Sequence, residues 1–204
     1  VMNTMNEIFV KRLTDTLLEE NELKKELLAR QKSMNEELSR ARKIQQNLLP
    51  KSFPSNMGLK FFASYIPMET VGGDFYDVQV FPNPDEIPMD KVGVLIADVS
   101  GHGVTSSLLT SWMAAFHGRA KTPRELIKKL NGMLVQENIE KHITMIAGIL
   151  NLETHQLRWS SAGHYPPAII FEPNQAPKIL HTSSFPLGLT EELEVEEHEC
   201  VLNR

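Results

Sequence analysis

Residues 91–111 read KVGVLIADVSGHGVTSSLLTS, and the interpretation of the whole chain starts from this stretch. An apolar run of strand length, Val92 to Ala97, ends at Asp98. A loop with Gly101 and Gly103 follows, and apolar residues then return at helical spacing. An unpaired carboxylate at the end of a buried strand costs on the order of several kcal/mol, so such a group is usually paired or bound to a metal. We therefore interpret Asp98 as a candidate metal ligand.

Three other interpretations of this loop have to be considered. An EF-hand counted from Asp98 requires a glutamate at its twelfth position, where this chain has Leu109, so that class is excluded. A dinucleotide-binding fingerprint would place its third small residue at Ser106, but two glycines alone are weak evidence. A plain strand-to-helix turn, with Asp98 as the helix cap, stays open on the pattern alone.

A second acidic stretch, TVGGDFYD at residues 70–77, places a Gly-Gly pair directly before an aspartate in a strand-like run. Side chains alternate between the two faces of a strand, so Asp74 and Asp77 are expected to point in opposite directions. They cannot both reach one metal ion unless the strand is bulged. At most one of the two is therefore expected to join Asp98 in a site.

Taken together, GGDFYD and ADVSGHG resemble the metal-dependent protein phosphatases of the type 2C superfamily. The resemblance is to the bacterial branch that contains the sporulation stage II protein E and the stress-response phosphatases. It begins near Leu38 and continues to the end of the chain. Three further segments carry it: ARKIQQNLLP (41–50), TMIAGILNLETHQLRWSSAGHYPP (144–167) and FPLGL (185–189).

This resemblance implies an α+β fold, a type 2C phosphatase-like α-β-β-α sandwich. It implies two divalent cations, Mn²⁺ or Mg²⁺, which as hard ions prefer oxygen ligands. Asp98 would bridge the ions, Asp74 would support one of them, and Val99 would offer its backbone carbonyl. A metal-activated water would attack phosphorus, so no nucleophilic side chain is needed. Asp77 would contact the metal ligands without binding the metal itself, or it would have a structural role.

The same resemblance implies further acidic ligands after the last strands of the domain. The chain ends at Arg204 without them, so we expect a C-terminally incomplete domain with half of the metal site. Such a fragment alone is expected to bind Mn²⁺ weakly and to be inactive.

The seven histidines show no paired helical spacing such as HExxH, so a zinc site is not expected. His102, within the glycine loop, is a candidate general acid or a plain loop histidine. His164, in SAGHYPP, is interpreted as a structural or hydrogen-bonded residue. The sequence leaves the roles of both open.

Composition restricts the class of protein further. The net charge of −5 does not favour nucleic acid as a partner. A single cysteine, Cys200, excludes a disulfide framework and favours a reducing compartment, so we expect a cytoplasmic protein. No apolar run is long enough for a membrane span, and the first residues lack a signal-peptide pattern.

Residues 1–49 contain neither glycine nor proline and are rich in Glu, Lys, Leu and Gln, which predicts one long helix. A heptad pattern places Leu13, Leu27 and Met34 at d positions, but polar residues interrupt the seam. We expect a parallel two-stranded coiled coil that makes a homodimer. The alternative is a solvated helix whose apolar stripe packs on its own domain. The predicted domains are thus a linker (1–49) and a phosphatase-like domain (50–204).

Within the second domain the patterns predict a strand at 59–66 and a polar loop at 82–90. Thr122, followed by Pro123 and Glu125, predicts a capped helix start. A hairpin is expected between 143–152 and 156–161.

The function expected by resemblance is that of a protein serine/threonine phosphatase in bacterial signalling. Its substrate would be a phosphorylated regulatory protein, an anti-sigma-factor antagonist, and a sensor or receiver domain would lie upstream. Two alternatives remain: a non-catalytic module that keeps the fold and binds a partner, and a dimerising helix whose attached domain only transmits a state.

Overall fold

The computed structural model describes residues 2–54, 58–66, 72–83, 86–101, 103–181 and 184–203. The chain divides into two compact units, Val1–Arg40 and Ala41–Arg204. None of the helices in the described ranges is long and apolar enough to cross a membrane.

The first unit consists of helix α1, which spans Met2–Leu48 and continues into the second unit. The expected long helix is confirmed to within one residue at each end. Ion pairs between residues one turn apart stabilise the exposed surface of this helix. Lys25 pairs with Glu22 at 2.8 Å, and Arg30 pairs with Glu26 at 2.7 Å. The apolar side chains of the predicted seam are exposed, Leu27 to 57% and Met34 to 58%.

The second unit holds seven strands and two further helices in the described residues. In chain order they are β1 (Asp74–Asn83), β2 (Glu86–Val99), α2 (Val104–His117), α3 (Pro123–Gln136), β3 (Ile143–Asn151), β4 (Gln156–Ala162), β5 (Ala168–Ile170), β6 (Lys178–Leu180) and β7 (His198–Val201). One sheet has the order β1-β2-β3-β4-β7, and β5 pairs with β6 in a second. All of these pairings are antiparallel.

The two faces of the large sheet differ in what covers them. Leu95, Ala97 and Val99 of β2 are at most 2% exposed and belong to the core formed with α2 and α3. The intervening residues Ile96 and Asp98 are exposed on the other face. This second face is called the site face below. The alternation follows from the period of two in a strand.

The small sheet covers part of the site face. Ala168 of β5 and Leu180 of β6 line a cavity of about 140 Å³ together with Gly148 and Trp159 of the large sheet. Leu180 is only 4% exposed, so it is part of this contact. Helices, large sheet and small sheet therefore form successive layers, as expected for a layered α+β fold.

Helix α3 begins as its capping signal predicts. The hydroxyl of Thr122 accepts a hydrogen bond from the backbone N–H of Glu125 at 3.1 Å. The Glu125 carboxylate accepts one from the N–H of Lys121 at 3.0 Å. These contacts satisfy two N–H groups that have no partner within the helix, and proline at the first position needs none.

Two predictions about strands were wrong. Residues 59–66 form no strand. Phe61 and Tyr65 pack against other rings, with Phe61 5.7 Å from Phe53 and Tyr65 6.3 Å from Tyr76 between ring centroids, whereas Phe62 is exposed. The predicted loop at 82–90 is largely strand, because β1 and β2 continue to the pair Asn83–Glu86. Ladder pairing along this hairpin outweighs the proline and polar composition that indicated a loop.

Candidate active site

Two aspartates face each other across the first pair of strands. Asp74 is the first residue of β1 and Asp98 the last but one of β2, and they are register partners. Directly opposed residues have Cβ atoms about 5 Å apart and point to the same side. Both side chains are exposed, so the two carboxylates lie together at the end of the site face.

The electrostatics of the pair reflect this proximity. Partial desolvation, and then the negative charge of Asp74, raise the pKa of the Asp98 carboxyl. The charges of His164 and His142 lower the pKa of the same carboxyl. Two like charges this close destabilise each other, and a cation between them would remove the repulsion.

The backbone before Asp74 is held against Val99. The N–H of Val99 donates to the carbonyl of Gly73 at 3.2 Å. Gly73 is buried, and a Cβ atom there would collide with the carbonyl oxygen of Val99. Only glycine allows this approach, which brings the Val99 carbonyl to the same turn as the aspartates.

His164 lies beside the aspartates on the site face. Its Nδ1 is 3.0 Å from the hydroxyl of Thr144, the register partner of Asp98 on β3. Desolvation lowers the pKa of His164, while the charge of Asp98, a hydrogen bond with the Thr144 backbone and the charge of Asp74 oppose that shift. The expectation of a hydrogen-bonded histidine is met, and Thr144 was not singled out from the sequence.

The loop after Asp98 is fastened to the residues that precede β3. The N–H of Ser100 donates to the carbonyl of His142 at 2.8 Å, and the N–H of His142 donates to the Ser100 hydroxyl at 3.0 Å. The ammonium of Lys141 donates to the Ser100 carbonyl at 2.9 Å. These bonds fix the start of the glycine loop. His102, a candidate general acid from the sequence, lies outside the described residues.

Asp77 lies on the opposite side of β1 from Asp74, as the alternation of a strand predicts. It is 7% exposed and accepts hydrogen bonds from the Val78 N–H at 2.8 Å and the Gln79 amide at 2.7 Å. Its Oδ2 is 3.0 Å from Nδ1 of His117, at the end of α2. Asp77 therefore joins β1 to α2 and does not reach the Asp74–Asp98 pair.

The FPLGL segment (185–189) is hydrogen-bonded to the strand and the helix next to the site. Leu187 is fully buried and exchanges two backbone hydrogen bonds with Ile143, at 3.0 and 2.8 Å. The N–H of Gly188 donates to the side chain of Asn131 on α3 at 2.8 Å. Ile143, the first residue of β3, pairs with Val99. The segment therefore holds the start of β3 next to the end of β2.

The chemistry of the donors fits a hard divalent cation. Asp74, Asp98 and the Val99 carbonyl offer oxygen only, and Gly73 leaves room for that carbonyl beside the turn. Within the described ranges, no group of three or more His, Cys, Asp or Glu side chains is placed to hold a metal ion. Two carboxylates would hold one ion that keeps much of its water.

Comparison with known proteins identifies the family. Residues 88–204, more than half of the chain, match the sequence profile of the family described as Stage II sporulation protein E (SpoIIE). The chain belongs to the SpoIIE family. The expected relationship is thereby confirmed.

Two curated relatives of this SpoIIE-family chain come from Bacillus subtilis strain 168. Phosphoserine phosphatase RsbP is 27% identical over 169 residues, covering 78% of this chain and 40% of the relative. Phosphoserine phosphatase RsbU is 26% identical over 180 residues, covering 85% and 51%. The chain thus spans about half the length of these relatives.

Solved structures show the same fold. The SiaA-PP2C domain of Pseudomonas aeruginosa aligns with a TM-score of 0.66 at 19% identity, over 85% of this chain and 69% of that one. RsbX in complex with magnesium aligns with a TM-score of 0.54 at 15% identity, over 66% and 62%. The SpoIIE-family chain therefore has a PP2C-type fold, as the fold expectation stated.

Proposed function

We propose that this chain is the catalytic module of a protein serine/threonine phosphatase in bacterial signalling. The observation that carries the proposal is the exposed Asp74–Asp98 pair, opposed across β1 and β2 at the end of the site face. Family membership and the PP2C-type fold support it. The names of the two Bacillus relatives point to phosphoserine as the substrate group.

Asp74, Asp98 and the Val99 carbonyl would hold Mn²⁺ or Mg²⁺, and two ions would be bound in the complete domain. When bound, such ions supply a water of lowered pKa and neutralise phosphoryl charge. In this proposal Asp98 would be a ligand of both ions and Asp74 would support one of them. Thr144 orients the His164 ring beside both carboxylates through its 3.0 Å hydrogen bond.

The substrate we propose is a phosphorylated regulatory protein, an anti-sigma-factor antagonist, in the cytoplasm. A sensor or receiver domain would lie upstream of α1. Residues 1–49 would form the linker and residues 50–204 the phosphatase-like domain. The exposed apolar residues of α1 support dimerisation through a coiled coil.

One observation favours a second candidate, a non-catalytic binding module. The described residues bring only two carboxylates together, and no third metal-binding side chain joins them. Such a module would keep the fold and bind a partner protein through its surface without hydrolysing phosphate.

Phosphate release from a phosphoserine-containing regulatory protein, measured on the full-length protein, separates the two candidates. An enzyme releases phosphate with Mn²⁺ and stops when EDTA removes the metal. A binding module retains the phosphoprotein in a pull-down and releases no phosphate under either condition. The second result would overturn the catalytic proposal.

A further inference from the structure

Gln45, in the last turns of α1, is a buried amide within the second compact unit. It is 4% exposed, whereas the neighbouring Gln46 is exposed. Its Nε2 donates to the carbonyl of Gly72 at 2.7 Å, and its Oε1 accepts from the N–H of Gly72 at 3.3 Å. The side chain thus satisfies both backbone groups of Gly72, as a neighbouring strand would.

The same amide also reaches α2. Nε2 of Gln45 is 3.5 Å from the hydroxyl of Thr110, which donates to the carbonyl of Ser107 at 2.6 Å. Thr110 is fully buried. Gln45 therefore connects the turn before β1 with the helix that covers the sheet.

The turn that Gln45 holds leads directly to the candidate ligand. Gly72 is fixed by Gln45, and Gly73 is fixed by the N–H of Val99. Asp74 follows and begins β1 opposite Asp98. Two consecutive glycines have unusual conformational freedom, so external contacts must set their conformation. Of the contacts just described, only those of Gln45 hold Gly72.

We propose that Gln45 is a positioning residue for the carboxylate pair: by holding Gly72, it places Asp74 against Asp98 in the arrangement that receives a divalent cation. The inference rests on the proposed function, since it concerns the same site. Losing the amide contacts frees Gly72, so that the free-energy cost of ordering the residues before Asp74 reduces the affinity for the cation. The expected consequence is weaker cation binding with an intact fold.

The fold does not depend on Gln45 alone. Leu48 and Leu49, which follow Gln45 near the end of α1, also pack against the hydrophobic core. Gln45→Met keeps a side chain of similar length and removes the hydrogen bonds. Gln46→Met is the matched control, because it makes the same chemical change one residue away at an exposed position.

The test is calorimetric titration of the full-length protein with Mn²⁺, together with hydrogen exchange at the Gly72 amide in the absence of metal. Gln45→Met should weaken Mn²⁺ binding by about tenfold, the size of a typical net hydrogen-bond contribution. It should also speed exchange at Gly72. Gln46→Met should change neither. Gln45→Asn, whose shorter amide falls out of reach of Gly72, serves if the methionine variant does not fold.

The outcomes separate this inference from the function it rests on. Mn²⁺ affinity and Gly72 exchange that match the wild type in the Gln45 variants would overturn the positioning role. A wild-type protein that binds no Mn²⁺ would instead overturn the proposed metal site. Loss of stability with unchanged affinity would make Gln45 a purely structural residue and would also overturn the proposal.

Discussion

The carbonyl oxygen of Val99 lies so close to Gly73 that a Cβ atom on Gly73 would collide with it. The N–H of the same valine donates to the Gly73 carbonyl at 3.2 Å. This contact joins the two sequence motifs, since Gly73 precedes Asp74 and Val99 follows Asp98. The contact between the two motifs places Asp74 next to Asp98.

Gly73→Ala should therefore disrupt the site. Overpacking of this kind typically costs about 1–3 kcal/mol, and here it pushes β1 away from the end of β2. We expect a lower free energy of unfolding in urea and weaker Mn²⁺ binding. Gly132→Ala is the control, because Gly132 lies in α3 with open space around its Cβ position. It should be neutral or stabilising by up to about 1 kcal/mol. Equal behaviour of the two variants would contradict this contact.

The Asp77–His117 pair predicts an effect on stability. Asp77 is a buried carboxylate that contacts the Val78 N–H, the Gln79 amide and Nδ1 of His117, and Asp77→Ala removes all three contacts. Asp77→Ala should lower the free energy of unfolding by about 1–3 kcal/mol, the usual cost of losing buried hydrogen bonds. Chemical denaturation at pH 7 measures this. A loss well below 1 kcal/mol would mean that the pair does not join β1 to α2 in solution.

Helix α1 carries the prediction about assembly. Its exposed leucines at the predicted seam have no cover within the first compact unit, and a second copy would bury them. Deleting residues up to Ser39 should convert a dimer into a monomer in multi-angle light scattering. A dimer that persists after the deletion would exclude the coiled coil as the interface.

The isolated chain of residues 1–204 should bind Mn²⁺ weakly and release little phosphate. The two carboxylates and one carbonyl proposed as ligands among the described residues would leave most of the coordination sphere of a hard cation to water. Calorimetric titration of this chain with Mn²⁺ measures the stoichiometry and affinity. Two tightly bound ions would show that the ligand set is wrong.

Local signals explain what could be predicted from the sequence. The long helix, the Thr122 cap and the hairpin of β3 and β4 depend on residues close together in the chain, and all three are observed. Strand alternation correctly separated Asp74 from Asp77. The relationship between the two motifs came from the family resemblance and not from periodicity.

Contacts between distant residues explain what could not be predicted. Gln45 and Gly72 are 27 residues apart, and Asp77 and His117 are 40 apart. Gln45 and Gln46 are identical residues in the sequence, and only the packing of α1 buries one of them. Residues 59–66 have the composition of a strand but form none, and within them Phe61 contacts Phe53 and Tyr65 contacts Tyr76.

The most direct test of the account compares Asp98→Asn with Asp77→Asn in Mn²⁺-dependent phosphate release by the full-length protein. Asp98→Asn should lose activity by on the order of a thousandfold, since it removes the carboxylate proposed to lie between the ions. Its metal-free unfolding midpoint should not fall below that of the wild type, because the change removes a repulsion with Asp74. Asp77→Asn should keep most of its activity per folded molecule. An Asp98→Asn protein within a few-fold of wild-type activity, or an equal loss in both variants, would contradict the assignment of the site.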